Sequence, residues 1–282
     1  MTRYWWRESL GRDYARSLRV GLIYEERTPA GQHLQIFHHS WWGRLVVLDG
    51  IVQFTERDEF IYHEVLVYTP VAVLSEPPRR VLIVGGGDGG ALRELQKFPE
   101  LEAVVQAEID LAVFQACQKY FPELSGNYDD PRVEFRVEDG LAAVTRLPEG
   151  SFDLVIVDCT DPVGPAQSLY TPEFYAGVHR VLRPGGVFIQ QASLPGLFPE
   201  ILQKAYHLAR KVFPSLQVLR TMVPCYGDEI AFLLGSTRYE EDFLPQRKIR
   251  GRHYSPEMHR ASLVLPAWWQ ELLKTPSSLL RE

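Results

Sequence analysis

The stretch VLIVGGGDGGALREL, Val81 to Leu95, decides how the rest of the chain is read. Its aliphatic opening predicts a buried strand, GGGDGG over Gly85 to Gly90 predicts a tight turn, and ALREL begins a helix. Downstream the alternation continues through AVVQAEI, LAVFQACQKYF, VEFRV, FDLVIV, PEFYAGVHRVL and GVFIQQ. These strands are near-continuous apolar runs, as strands covered on both faces should be. The pattern therefore predicts a parallel sheet with helices on both sides. Thr171-Pro172-Glu173 reads as a helix start, with a capping threonine and proline at the first helical position, and Pro184-Gly185-Gly186 as the exit turn. FPEILQKAYHLARKVFP adds an amphipathic helix, and LQVLRTMV with IAFLLGS, joined through PCYGDE, predicts a closing antiparallel hairpin.

Upstream the texture differs. From Leu22 to Phe54 short β-rich segments alternate with turn residues, and Asp49-Gly50 marks a tight hairpin, so an antiparallel meander is predicted. FIYHEVLVYTPVAVL then predicts a helix interrupted or bent near Pro70. The expected organisation is α/β: a small amino-terminal antiparallel β domain over residues 1–55, and a parallel-sheet catalytic domain over 56–282.

Composition narrows the function classes. The 282 residues are 45% hydrophobic and carry a net charge of -6, with no block of Lys and Arg. That balance argues against a nucleic-acid or anionic-membrane binder and suits cationic ligands. Cys117, Cys159 and Cys225 are far apart with no CxxC pair, which argues against a disulfide framework or a metal site and points to the reducing cytoplasm. No uncharged apolar run approaches the roughly 18 residues of a membrane span, and the amino terminus lacks the apolar core of a signal peptide.

The glycine loop matches GxGxxG, yet Asp88 stands inside it. A dinucleotide pyrophosphate would sit on the positive helix terminus there, and a carboxylate would repel it. Glu108 closes the following strand, where an acidic residue bonds ribose hydroxyls, and Asp139-Gly140 closes the third, where a carboxylate can meet an adenine amino group and glycine leaves room for the ring. A nucleoside without phosphate, with a carboxylate facing its tail, describes S-adenosylmethionine or its decarboxylated form. An NAD-dependent oxidoreductase is the alternative on the same fold.

FDLVIVD opens into DCTDPVGP, which places Asp158 and Asp161 at the carboxyl end of a buried strand, where ligands lie in open α/β sheets. Two carboxylates beside a rigid turn make a cation site. The chemistry expected is displacement at the carbon next to a sulfonium by an amine. With a lysine-like pKa of about 10.4, freeing the amine lone pair at pH 7.4 costs about 4 kcal/mol. Asp158 is positioned to take that proton, and flanking acids stabilise the positive charge as it migrates from sulfur to nitrogen.

At this point a family resemblance becomes specific. GGGDGG, EID, DCTDPVGP, LDGIVQFTERDEFIYHE, YDDPR and RHYSPEMHRASLVLP together closely resemble the spermidine synthases, the polyamine aminopropyltransferases. The resemblance runs from Trp5 to Pro266. It implies a methyltransferase-like Rossmann parallel sheet with the small β domain, assembly as a homodimer or homotetramer, and no prosthetic group, decarboxylated S-adenosylmethionine being a co-substrate. It further implies that Asp158 is the catalytic acid/base and that Asp161 binds the acceptor amine. Gln53, His63 and Asp88 would surround the aminopropyl tail, and Glu108 would hold the ribose. Gln32, Asp139, Gly140 and Pro165 would line the thioadenosine site, while Tyr62, Gln191, Tyr226 and Trp5 or Trp6 would line the acceptor channel.

Two stretches depart from the family pattern. PCYGDE brings Asp228 and Glu229 where the family has an uncharged turn, and Gln167 stands where Glu is frequent. The expected reaction is aminopropyl transfer to putrescine, giving spermidine and methylthioadenosine. Transfer to cadaverine or agmatine, amine methylation with intact S-adenosylmethionine, and a silent nucleoside-binding protein are the alternatives.

Overall fold

The computed structural model describes residues 2–11, 13–239 and 242–274. The outermost residues of the two expected segments, Met1 and 275–282, lie outside the described residues. Strands β1 (Tyr4–Ser9), β2 (Ala15–Arg27), β3 (His33–His39), β4 (Gly43–Leu48) and β5 (Ile51–Thr55) form an antiparallel sheet in sequence order. The meander starts earlier than its sequence pattern indicated. β1 and the first half of β2 form an edge whose side chains are largely exposed, so they carry charge where a buried strand would carry apolar residues. Asp49 and Gly50 both have positive φ, 50° and 82°, the conformation of a tight two-residue hairpin turn.

Both faces of this sheet are covered. Phe37, Leu45 and Val47 join the core around helix α1 (Glu59–Val73), whereas Leu34, Ile36, Val46 and Phe54 pack against Val113 and Cys117 of α3 (Leu111–Tyr120) and Phe121 just after it. Alternate residues of one strand thus face different helices, which accounts for the unbroken apolar run LVVL. Helix α1 is buried along nearly its whole length, and it runs through Pro70 to Val73 without interruption. Proline forgoes one backbone hydrogen bond there, and burial on all sides holds the helix together.

The second sheet has seven strands in the order β11-β12-β10-β9-β6-β7-β8. They are β6 (Arg80–Gly85), β7 (Ala103–Glu108), β8 (Val133–Val137), β9 (Phe152–Asp158), β10 (Leu182–Gln191), β11 (Ser215–Val223) and β12 (Asp228–Ser236). β8, β7, β6, β9 and β10 are mutually parallel, and β12 and β11 close the edge antiparallel. Helices α2 (Gly90–Leu95), α4 (Gly140–Arg146), α5 (Pro172–Val181) and α6 (Pro199–Ala209) follow the strands. Thr171 Oγ caps α5 through the Phe174 N–H at 3.3 Å, as its sequence indicates. After α5, Pro184-Gly185-Gly186 lies in an irregularity within β10. Chain order reverses between β6 and β9, so their carboxyl ends flank the crevice in which such sheets bind ligands. Those ends are Gly85 and Asp158, which are paired in register.

Candidate active site

The glycine loop is shaped by the side chains it touches. Gly85, Gly86 and Gly89 all have φ between 68° and 81°, which disfavours any residue with a side chain. A Cβ on Gly85 would fall 2.1 Å from the Asp158 carbonyl oxygen, and one on Gly87 would fall 3.0 Å from Glu108 Oε2. The loop therefore lies directly between the two carboxylate-bearing strand ends. Gln106, buried on β7, donates to the Gly85 and Gly86 carbonyls at 2.9 and 2.7 Å, and the Tyr128 hydroxyl donates to Gln106 Oε1 at 2.9 Å. Tyr128 begins YDDPR, so part of that motif supports the loop from beneath.

Asp158, at the end of β9, accepts the Tyr62 hydroxyl on Oδ1 at 2.7 Å. Its Oδ2 is buried without a hydrogen-bond partner, and His63 Nε2 is ion-paired with Asp88 Oδ1 at 3.4 Å. Ligand atoms of His63, Asp88 and Asp158 all lie within 4.8 Å of one another. His63 Nδ1 is 2.7 Å from Glu59 Oε2, and both Glu59 oxygens accept from Arg93, at 3.0 and 2.9 Å. Asp88 Oδ1 accepts the Gly90 N–H at 2.6 Å.

These contacts set the charges. Burial opposes ionisation of His63, but Asp88 and Glu59 on either side raise its pKa well above the usual histidine value and favour the imidazolium form. Burial also opposes ionisation of Asp88 and Glu59. The cation overcomes it in both, with Arg93 helping to hold Glu59 at about 2. Asp158 is pushed up to about 6, chiefly by burial and then by the Asp88 charge, against the pull of His63 and Tyr62. A base with that pKa is ionised at neutral pH and still able to take a proton. Burial raises Glu108 to about 7, with Asp110, Asp158 and Asp88 adding repulsion against a backbone hydrogen bond. The crevice thus gathers more carboxylate than cation and suits a positively charged ligand.

Asp161 lies further along the same loop, where Ser193 Oγ donates to its Oδ2 at 2.8 Å. Burial raises its pKa, against hydrogen bonds from Ser193 and Gln191. Gln191 ends β10, and its amide also donates to the Cys159 carbonyl at 2.7 Å and the Tyr170 hydroxyl at 3.2 Å. Tyr226 packs edge-on to Tyr62 at 6.4 Å, and its hydroxyl donates to the Gln53 carbonyl at 2.7 Å. The turn carrying Tyr226 is also fixed by Asp58, which accepts the Cys225 N–H at 2.7 Å.

At the β7 end of the crevice, the Asp110 N–H donates to Glu108 Oε1 at 2.7 Å. Thr28 Oγ donates to Asp110 at 2.6 Å and accepts the Gln32 N–H at 3.1 Å, which fastens the β2–β3 turn beside Glu108. Asp139 caps α4 and accepts Ser168 Oγ at 3.1 Å, close to Pro165, whose carbonyl accepts the same hydroxyl at 3.2 Å.

A spermine/spermidine synthase domain profile matches residues 59–244. The chain is 39% identical over 281 residues to the polyamine aminopropyltransferase of Moorella thermoacetica, covering 98% of each chain. It is 32% identical over 279 residues to that of Bacillus subtilis, covering 97% of this chain and all of the relative. A crystal structure of spermidine synthase in complex with the transition-state analogue AdoDATO superposes with a TM-score of 0.89 at 31% identity, covering 96% of this chain and 95% of that one. Spermidine synthase from Thermotoga maritima superposes at 0.87 and 30% identity, over 96% and 94% of the two chains. The chain belongs to the spermine/spermidine synthase family. It is an enzyme of the polyamine aminopropyltransferase type.

Within this synthase framework, two sequence expectations take a different form. Trp5 is not brought to the cluster: it pairs with Arg19 in the β1–β2 ladder and is 71% exposed. Strand alternation turns Trp6 the other way, onto Phe37 and the core that contains Tyr62. Gly140 is required by protein packing, because a Cβ there would meet Val84 and Leu169. Of the two departures from the family pattern, Gln167 is exposed, and Glu229 is neutralised by an ion pair with Arg220. Sequence reasoning did not find Glu59, Arg93, Gln106, Thr28 or Asp110. The acidic residue four positions before His63, on the same face of α1, was a signal for Glu59.

Proposed function

We propose that this enzyme moves the aminopropyl group of decarboxylated S-adenosylmethionine to putrescine, releasing methylthioadenosine and forming spermidine. The observation that carries the reading is Asp158, held by Tyr62 on one oxygen while the other is buried, unpaired and close to Asp88. Glu108, Gln32, Asp139, Gly140 and Pro165 hold the nucleoside, and Asp88, His63 and Gln53 surround the aminopropyl chain. Asp161, Gln191, Tyr62 and Tyr226 receive the acceptor. Asp158 takes a proton from the amine, the nitrogen lone pair attacks the carbon next to sulfur, and the carbon–sulfur bond breaks with its electrons left on a neutral thioether. The residues 1–55 and 56–282 would act as β domain and catalytic domain of a homodimer or homotetramer.

Donor choice tests the assignment of Asp88. Intact S-adenosylmethionine carries an additional carboxylate that Asp88 would repel. Asp88→Asn is expected to weaken the decarboxylated donor by on the order of tenfold and intact S-adenosylmethionine far less, as titration calorimetry would show. Equal losses for both ligands would contradict charge selection.

The acid limb of the rate profile reports Asp158. kcat/KM is expected to fall as pH drops through about 6, where Asp158 becomes protonated, and to rise from neutrality towards about 9 as free amine accumulates. Tyr62 favours the ionised form of Asp158, so Tyr62→Phe moves the acid inflection upward and costs roughly tenfold in rate. An unmoved inflection in steady-state profiles would separate Tyr62 from the base.

A further inference from the structure

Among the described residues only Asp49 and Ser193 combine a side chain with positive φ. Asp49 sits in a hairpin turn that needs this conformation. Ser193, at φ 70°, lies where the chain leaves β10, is 2% exposed, and has no comparable turn to explain it. Such conformations persist only where surrounding bonds enforce them, and they concentrate at functional sites. Here every polar group of the serine is engaged. Its N–H donates to Gln191 Oε1 at 2.8 Å, its carbonyl accepts the Ala231 N–H at 2.9 Å, and its hydroxyl donates to Asp161 Oδ2 at 2.8 Å. The two backbone bonds fix the left-handed turn, and the turn delivers the hydroxyl to the carboxylate.

We propose that Ser193 is a positioning residue for the acceptor amine, its strained backbone serving to orient the Asp161 carboxylate. The inference rests on the reading that Asp161 binds that amine. Asp161 stands in a loop rich in proline and glycine, and a hydrogen bond from a buried, rigidly held hydroxyl limits its rotamers before substrate arrives. A donor to a carboxylate also favours its ionised form, the form that attracts an ammonium group. Asp158, by contrast, is held by Tyr62 on a separate element, so loss of the serine hydroxyl should leave the base and the donor site undisturbed.

Ser193→Gly provides the test because glycine adopts the same backbone without strain while removing the hydroxyl together with its Cβ. With the purified enzyme, decarboxylated S-adenosylmethionine and putrescine, the variant is expected to raise the putrescine KM about tenfold, keep the donor KM within twofold and melt within a few degrees of the parent. Ser193→Ala should raise the putrescine KM equally. An unchanged putrescine KM in Ser193→Gly, or a parallel loss for donor and acceptor, would overturn the proposal. Asp161→Asn is measured alongside. If it leaves the putrescine KM unchanged, the assignment of Asp161 itself fails; if it raises that KM while Ser193→Gly does not, only the positioning role fails.

Discussion

Asp158→Asn is expected to lower turnover by about 10² to 10⁴-fold while donor affinity stays within a few-fold, because in the proposed reaction it removes the proton acceptor and little else. The amide keeps an oxygen for the Tyr62 hydroxyl, so the local geometry survives. The variant also has a stability signature. Folding raises the Asp158 pKa from 3.8 to about 6, so the native state holds this proton more tightly than the unfolded chain. The resulting cost to the parent enzyme develops as pH rises from about 4 to 6 and is fully present above 6. Asp158→Asn should therefore be more stable than the parent at pH 8, by on the order of 3 kcal/mol, and no more stable near pH 4. Calorimetric scans at both pH values with single-turnover rates check the pair of effects. A slow variant that is also destabilised at pH 8 would mean that Asp158 serves the fold rather than the reaction.

Gly85→Ala is the second large effect. The added Cβ meets the backbone oxygen of Asp158 on the neighbouring strand, which cannot rotate away, and φ at 81° adds backbone strain. The strain costs about 1–3 kcal/mol and the overpacking about as much again, so a loss of roughly 2–6 kcal/mol is expected. Relief by separating β6 from β9 would also displace Asp158 and the adjoining hydrogen bond from the Gly86 N–H to the Asp158 carbonyl. Gly50→Ala supplies the contrast, because φ is 82° there but nothing lies within 4 Å of the new atom. It should lose only the backbone part and retain activity. Urea unfolding of the two variants with matched rate measurements distinguishes close approach from conformational strain, and equal losses would remove the Asp158 contact from the account.

The sequence made the parallel sheet legible because its strands are apolar runs separated by helices, and the starts of α2, α3, α4 and α5 carry a glycine or a capping side chain. The carboxylates were legible for a related reason, since Asp88, Glu108, Asp139 and Asp158 fall at or just beyond strand ends. What escaped depends on pairing across long separations. The Gln106 side chain looks like any polar residue in a buried strand until the loop it supports is folded over it. Arg93 and Glu59 are 34 residues apart, and the Glu64 carboxylate binds the backbone N–H groups of Arg252, His253 and Tyr254 at the far end of the chain. No local periodicity encodes such partners. Trp5 illustrates the same limit: tryptophans adjacent in a strand face opposite ways, and the sequence alone does not say which faces inward. Ser193 was hidden because a left-handed serine has no compositional mark.

Aminopropyl transfer to putrescine is tested by a mass-spectrometric product assay of the purified enzyme, with decarboxylated S-adenosylmethionine and an equimolar set of putrescine, cadaverine, agmatine and spermidine, and with intact S-adenosylmethionine in a parallel reaction. Methylthioadenosine appearing together with spermidine from putrescine, and no methylated amine in the parallel tube, is the expected result. A methylated amine with S-adenosylhomocysteine, or no aminopropylated product from any acceptor, would contradict it.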